Sequence, residues 1–565
     1  MITKRLSQLK DNFYKYGIDG YVVPKNDEFF SEYSQKDRLK TISNFTGSAG
    51  FAIILKDQNY LFVDGRYTIQ AEIESGKDFK IMNYNKIINC NLFKNLTIGL
   101  DPNLFTSDQI KKIFSKHNKI KEIPSNLIDL IHNKYQSQLK PFFSLNKDIV
   151  GESHLIKIKK IINFIKKNKS HYLFISAPEN VAWLLNIRGH DNPNSPIPNC
   201  RLLINDRNEI FLISEINKAK NLIKEKKIKK KNLIHPKNLY QFLDNIKKSK
   251  IIIDTQSCSL FYENLLRKKF SLLKKQDPIY LMKSIKNKLE IKNMINSHIS
   301  DGVALTKFLY WIKKVNKKKI NEYQAQTKLE SFRKKNINYL YPSFNTIAGT
   351  RENGAIIHYR ANKINSKKIE KNDIFLCDSG GQYKYGTTDV TRTICFSKPE
   401  NHIRDIFTKV LKGHIAVATA DLNKKFNGKL IDPLARKYLK KSGLDYKHGT
   451  GHGVGFFLNV HEGPQSISKF NEVKFQEGMI LSNEPGFYKK GLFGIRIENL
   501  VYVKKSNKRL LFENLTLVPI EKDLINFNKL QKEEKDYLFN YHLNVYSKLS
   551  NFLNKNEKKW LASFI

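Results

Sequence analysis

Long apolar runs, cysteines and acidic residues are all in short supply in this chain, and each shortage removes a class of protein. No stretch of the 565 residues is apolar for long enough to cross a bilayer, and the opening MITKRLSQLKDNFYKYG is polar and patterned as a helix, not a secretory core. A soluble, cytoplasmic protein without a membrane partner is expected. The five cysteines, Cys90, Cys200, Cys258, Cys377 and Cys395, are odd in number and scattered, which argues against a disulfide framework. No pair of them has zinc spacing. Acidic residues number 53 against 99 basic ones, a net charge of +46 that on its face suits a nucleic-acid or anionic partner. The excess is mostly lysine spread through the chain, with runs such as KEKKIKKK from Lys224 to Lys231. It comes without an Arg-rich recognition helix or an aromatic-interleaved basic strip, so no specific nucleic-acid partner is expected, only salt-sensitive sticking to polyanions.

The apolar fraction, 40%, is ample for a globular fold, and 565 residues exceed what one core organises. Helix-patterned RLSQLKDNFYKYG followed by GYVVP near the start is echoed by HLIKIKKIINFIKKN followed by YLFISAP, so two related α/β domains are expected before a third. The third opens near DPIYLMKSIKNKLEIKNMINSHISDGVALTKFLYWI, read as a long amphipathic helix.

The chemistry concentrates in the last third. In IFLCDSGGQYKYGTTDVTRTICF, an apolar run carrying Asp378 meets a Tyr/Lys/Gly turn and returns as a Thr/Val/Ile-rich run carrying Asp389, a hairpin that sets the two aspartates side by side. In MILSNEPGFYKKGLFGIRIENLVYV, Glu484 and Glu498 flank a turn centred on Gly491, and alternation puts Arg496 and Glu498 on one face and Ile495 and Ile497 on the other. Cys377, beside Asp378, is expected on the packed side of its strand. Between the hairpins, HGTGHGVGFFLNVHEGP carries His448, His452 and His461 among glycines that let backbone approach closely. Taken singly, Asp-Ser-Gly-Gly is an ordinary turn and Asn-Glu-Pro-Gly an ordinary strand end. Together the four carboxylates would repel one another unless cations sat among them. Carboxylate oxygens with a single imidazole suit Mn²⁺, then Co²⁺ or Fe²⁺. Five side chains for two ions imply bridging carboxylates and a separation of roughly 3.5–4 Å, with room for a shared water or hydroxide nucleophile. Hydrolysis is the expected reaction.

The segments GAIIHY, DSGGQYKYGTTDVTRT, HGTGHGVGFFLNVHEGP, SNEPGFY and GIRIEN closely resemble the pita-bread metallopeptidases and, among them, the three-domain Xaa-Pro aminopeptidases. Earlier, SNFTGSAGFAIIL with YLFVDGRYTIQAEIE resembles that family's first domain, and APENVAWLLNIRGHDNP its second. The resemblance implies two creatinase-like α/β domains, 1–137 and 145–277, then a pita-bread catalytic domain of α+β type, 278–565, with a C-terminal helical extension. It further implies that Asp378 chelates one ion, that His452 and Glu484 hold the other, and that Asp389 and Glu498 bridge the pair. His358, His448 and His461 become histidines that contact substrate or support the ligands, with Arg496 behind Glu498. The implied reaction releases the first residue of a peptide with proline second. Glu484 takes and passes the proton, while His358 and His461 stabilise the intermediate or hold the peptide. A homodimer is implied as well. Prolidases, methionine aminopeptidases and creatinase share the catalytic fold, and noncatalytic relatives bind peptides or histones. The intact ligand set and the two preceding domains favour the aminopeptidase.

Overall fold

The computed structural model describes residues 2–84, 93–114, 117–132, 140–315, 320–364 and 366–565. Cys90 and the expected domain end at 137 lie outside these residues. The chain divides into two compact units, Met1–Ile279 and Tyr280–Ile565.

The first unit contains the same sheet twice. In the amino-terminal copy the order is Lys80–Asn83, Asn59–Val63, Phe51–Leu55, Gly20–Pro24, Thr97–Leu100, Lys119–Glu122. In the second copy it is Leu233–Ile234, Ile210–Ile213, Arg201–Asn205, Tyr172–Ile175, Ser249–Ile253, Phe270–Lys274. The sense of every pairing also repeats, with each first strand antiparallel to the second and parallel to the fifth. Each copy opens with a helix whose apolar stripe is buried, Ile2–Lys15 through Leu6, Leu9 and Phe13, and His154–Lys167 through Ile158, Ile161 and Ile165. The repeat seen in the sequence is therefore a repeat of topology.

In the second unit the expected long helix is broken. Ile279–Ser284 and Lys288–Lys314 are separate because Lys286 N–H bonds to the Gly478 carbonyl, 3.1 Å, and Asn287 caps the longer helix reciprocally with Glu290. Behind it stand a three-stranded sheet (Ile347–Thr350, Ile374–Ser379, Val390–Cys395) and a five-stranded sheet (Glu462–Ile467, Gly451–Gly453, Ile480–Asn483, Asn499–Ser506, Arg509–Asn514). Ile495 and Ile497 are fully buried against Phe407, Val410, Leu411 and Ile415 of the helix Asn401–Ala418. The C-terminal helices cap the same core through Leu538, Tyr541, Val545 and Leu561, and Arg392 donates to the Tyr541 hydroxyl at 2.9 Å. Cys377 packs with Phe375 and Ile394 on the face of its strand away from Asp378. Cys200, Cys258, Cys377 and Cys395 are all free and buried. Among the described residues, no helix is long and apolar enough to cross a membrane.

Candidate metal centre

Strand register brings the acidic residues together. Asp378 pairs with Thr391 across the antiparallel strands Ile374–Ser379 and Val390–Cys395, so Asp389, two residues before Thr391, shares the face of Asp378. The turn between these strands is longer than a simple hairpin, because Gly381–Tyr383 pairs with Gly386–Thr387 on one side and with Tyr339–Pro342 on the other, in a separate sheet. Glu484 and Glu498 sit opposite one another where one strand pair changes sheets. Asn483 pairs with Asn499 on one side of them, and Gly486 with Arg496 on the other. Gly491, at φ +77°, closes the intervening hairpin. With Ile495 and Ile497 committed to the core, Arg496 and Glu498 face the Asp378 strand pair.

Hydrogen bonds then tie the pieces. Glu498 N–H donates to the Thr391 carbonyl (3.2 Å), and Thr391 Oγ1 donates to Glu498 Oε2 (2.7 Å). Glu484 N–H donates to the Thr450 carbonyl, 2.8 Å, which anchors it beside the His452 strand. That strand approaches so closely that a Cβ on Gly451 would lie 1.9 Å from the Ser482 carbonyl. His452 N–H donates to Ser482 Oγ (2.9 Å), which itself donates to Glu484 Oε1 (3.1 Å). His452 Nδ1 lies 2.9 Å from the Gly453 carbonyl, which sets Nδ1 as the donor and leaves Nε2 to face Asp389 (3.5 Å) and Glu484 (3.6 Å).

Asp389, His452 and Glu498 bring ligand atoms within 4.8 Å of one another. Asp378 adjoins them, with one oxygen on Arg496 at 2.5 Å and Oδ1 buried without a hydrogen-bond partner. An acceptor stranded in this way is what a cation would complete, since a buried unpaired carboxylate oxygen is costly. The titration behaviour has the same meaning. Burial, together with Asp389 and against the pull of Arg496, pushes Asp378 up to about 7. Burial with Asp389 and Asp378 pushes Glu498 well above the usual carboxylate range. Burial opposes a charged His452, yet its hydrogen bond to Asp389 and the charge of Glu484 hold it at about 9. Glu484 is pushed up by burial but held below its ordinary value by His452 and His448. The residues therefore fit a pair of divalent cations, which would replace mutual repulsion with coordination.

Arg496, expected behind Glu498, and His448, expected to contact substrate or support the ligands, are both bonded to the protein's own groups. Arg496 is 2% exposed and its guanidinium is spent on Asp378, on the Tyr488 hydroxyl (2.7 Å) and on Thr391 Oγ1 (3.0 Å). It reaches Glu498 through Thr391, not by a direct hydrogen bond. His448 has both ring nitrogens engaged, Nδ1 with the Gly449 carbonyl (2.7 Å) and Nε2 with the Tyr488 hydroxyl (2.9 Å). Burial pushes it down to about 4, so it is neutral near pH 7. Tyr488 thus accepts from Arg496 and donates to His448. The His461 ring stands edge-on to His452, with centroids 4.3 Å apart. His358 lies on the loop after Arg351–Ala355, held to the Glu484 hairpin where the Gly354 carbonyl meets Gly494 so closely that a Cβ there would be 1.8 Å away.

Four supports escaped the sequence reading. Thr391 and Thr393 follow Asp389 at a period of two, a signal that places them on its face. Tyr488 and Glu322 carry no comparable signal. Glu322, fully buried, accepts from Thr350 N–H (2.8 Å), Asn353 Nδ2 (3.0 Å), the Tyr359 hydroxyl (2.8 Å) and Lys367 N–H (2.9 Å), and so pins the His358 loop on both sides.

A carboxylate-rich centre with one imidazole, carried on antiparallel strands, defines a divalent-metal hydrolase. Residues 292–505 match metallopeptidase family M24, residues 508–563 the C-terminal region of peptidase M24, and residues 5–128 and 133–290 creatinase/prolidase N-terminal domains. The chain belongs to the M24 metallopeptidases, in their long form with two creatinase-type domains ahead of the catalytic one. It is 36% identical to a probable Xaa-Pro aminopeptidase P of Laccaria bicolor, over 99% of this chain and 92% of the relative. It is also 36% identical to Xaa-Pro aminopeptidase 1 of Dictyostelium discoideum, over 100% and 96%. Among solved structures, the X-prolyl aminopeptidase of Caenorhabditis elegans, described as a cytosolic enzyme with a di-nuclear active site, superposes with a TM-score of 0.91. It is 29% identical, and the match covers 100% of this chain and 99% of that one.

Proposed function

We propose that this protein is an Xaa-Pro aminopeptidase, which hydrolyses the bond between the first residue of a peptide and a proline in second position. The observation that carries the reading is the cluster of Asp389, His452 and Glu498, with Glu484 3.6 Å from His452 Nε2 and a buried, unpartnered Asp378 oxygen beside them. These five side chains would hold two divalent ions, with Asp389 and Glu498 bridging, and their oxygen-rich set suits Mn²⁺. Bound there, the ions supply Lewis acidity for the carbonyl and acidify a water. Glu484, held below its ordinary carboxylate value chiefly by His452, takes the nucleophile's proton and passes it to the prolyl nitrogen. His358 and His461 hold the peptide around the scissile bond. Arg496 orients Asp378, and His448 steadies Tyr488, which Arg496 also holds. The bond before proline lacks an N–H, so recognition rests on the terminal amine, the first carbonyl and the ring.

The reading extends to domains at 1–137, 145–277 and 278–565, to a cytoplasmic location and to a homodimer, for which light scattering is the direct measurement. A panel of an Xaa-Pro dipeptide, an Xaa-Pro-Xaa peptide and a Met-Ala peptide, each with Mn²⁺ and with chelator, tests the activity. Release of the first residue from Xaa-Pro-Xaa, abolished by chelation, is expected. Cleavage of the dipeptide alone would make the protein a prolidase, and no cleavage with tight peptide binding a scaffold.

A further inference from the structure

Arg392 lies on the strand Val390–Cys395, which follows Asp389, and alternation sends its side chain to the face opposite Thr391. It is 1% exposed, and a guanidinium, which keeps its charge at any ordinary pH, is costly to bury unless its donors are met. Nη1 donates to the carbonyls of Thr391 (2.8 Å) and Glu498 (2.7 Å), and Nε to the carbonyl of Pro519 (3.0 Å). Nη2 donates to Asn499 Oδ1 (2.8 Å), to the Val518 carbonyl (2.8 Å) and to the Tyr541 hydroxyl (2.9 Å). All of these acceptors are uncharged, whereas the buried Arg496 and Arg333 rest on the carboxylates Asp378 and Asp301. The charge of Arg392 is therefore carried by oriented dipoles, and each lost oxygen leaves a buried donor of a charged group poorly met.

The two ends of this cluster belong to different parts of the chain. At one end stands Glu498, whose N–H donates to the Thr391 carbonyl (3.2 Å) while its own carbonyl accepts from Arg392. Both main-chain polar groups of Glu498 are thus fixed on the strand that follows Asp389. Its neighbour Asn499 is held on two sides, by Arg392 and, through Nδ2, by Asn514 Oδ1 at 3.0 Å. At the other end the oxygens of Val518, Pro519 and Tyr541 all come from the C-terminal segment. The Tyr541 hydroxyl, on the helix Lys532–Leu549, accepts from Arg392 and donates to the Val518 carbonyl (2.8 Å), so it also fixes a second acceptor of the same guanidinium. The fork is planar and rigid, so a shift at its Nη2 end to recover a lost acceptor moves the Nη1 end that holds Glu498.

We propose that Arg392 is a positioning residue for Glu498, set from the C-terminal helix by Tyr541, so that the extension is a working part of the metal centre. The inference rests on the reading of Glu498 as a bridging ligand. The test uses the full chain as wild type, Arg392→Gln, Tyr541→Phe and Leu538→Ala. Leu538 packs into the apolar core from the same helix, so truncating it weakens the docking of that helix without removing a bond to Arg392. The Mn²⁺ dissociation constant, the Tm and the turnover of an Xaa-Pro-Xaa peptide are measured on each. Arg392→Gln is expected to weaken Mn²⁺ binding about tenfold, the scale for a residue that orients a metal ligand, and Tyr541→Phe, one step further out, about fivefold. Leu538→Ala should lower the Tm and leave Mn²⁺ affinity within about twofold of wild type. Affinity within about twofold of wild type in Tyr541→Phe, or in a folded Arg392→Gln, overturns the inference, and so does a Leu538→Ala protein weakened as much as Tyr541→Phe. Should Arg392→Gln fail to fold, the comparison of Tyr541→Phe with Leu538→Ala decides. A wild type that binds Mn²⁺ and cleaves no peptide overturns the aminopeptidase reading alone, and one that binds no Mn²⁺ overturns the metal centre and this inference together.

Discussion

Glu322 is remote in sequence from every proposed ligand, yet the structure makes it the anchor of the His358 loop. Replacing it with alanine strands two backbone donors, Thr350 N–H and Lys367 N–H, and releases Asn353 and Tyr359. A buried donor left without its acceptor costs about 1–3 kcal/mol, so two cost about 2–6 kcal/mol, reduced where water reaches the partly buried Lys367 end. Glu322→Gln keeps one acceptor oxygen but turns an amide toward Lys367 N–H, so about half of that loss is expected. The loop carries His358 but no proposed metal ligand. Turnover of an Xaa-Pro-Xaa peptide should therefore fall at least about tenfold in Glu322→Ala while metal content holds. Urea unfolding, elemental analysis and steady-state kinetics on the same preparations check the three parts. A Glu322→Ala protein within about 0.5 kcal/mol of wild type, or one with full turnover, would refute the anchoring role, and loss of metal would place the effect in the carboxylate cluster instead.

Asp389→Ala and Glu498→Ala should each lose metal and turnover together, and near wild-type activity in either variant would contradict the bridging assignment. His358→Ala should keep its metal and lose turnover, as read by elemental analysis beside kinetics. His542 supplies a pH dependence of stability. Its Nε2 accepts the Ile520 N–H at 3.1 Å, and burial, helped by the charge of Arg392, pushes it down to about 4. The folded value lies below the unfolded one of about 6.5, so its contribution is complete above pH 6.5 and is lost as pH falls. Between pH 7 and pH 5 this amounts to about 2 kcal/mol. Wild type should lose that much more stability than His542→Gln over this interval in denaturant melts, and equal losses would exclude the residue as a cause.

Several features could be read from sequence because they depend on local geometry. Strand alternation places Arg496 and Glu498 opposite Ile495 and Ile497 whatever the fold, and the duplicated helix-then-strand openings marked two domains that share one strand order. The break at Ile285–Asn287 was not legible, since the acceptor for Lys286 N–H is the Gly478 carbonyl, far along the chain. The bond between Thr391 and Glu498 spans 107 residues, and that between Arg496 and Asp378 spans 118. Neither partner betrays the other.

The sequence by itself determined which side chains would be paired within each hairpin, because a period of two and a turn suffice for that. Only the tertiary structure decided that the two pairs meet, that Arg496 and His448 are tied to Asp378, Thr391 and Tyr488, and that Glu322 holds the His358 loop. Those outcomes depend on which buried donors find which acceptors once the sheets pack, and no local periodicity encodes that choice.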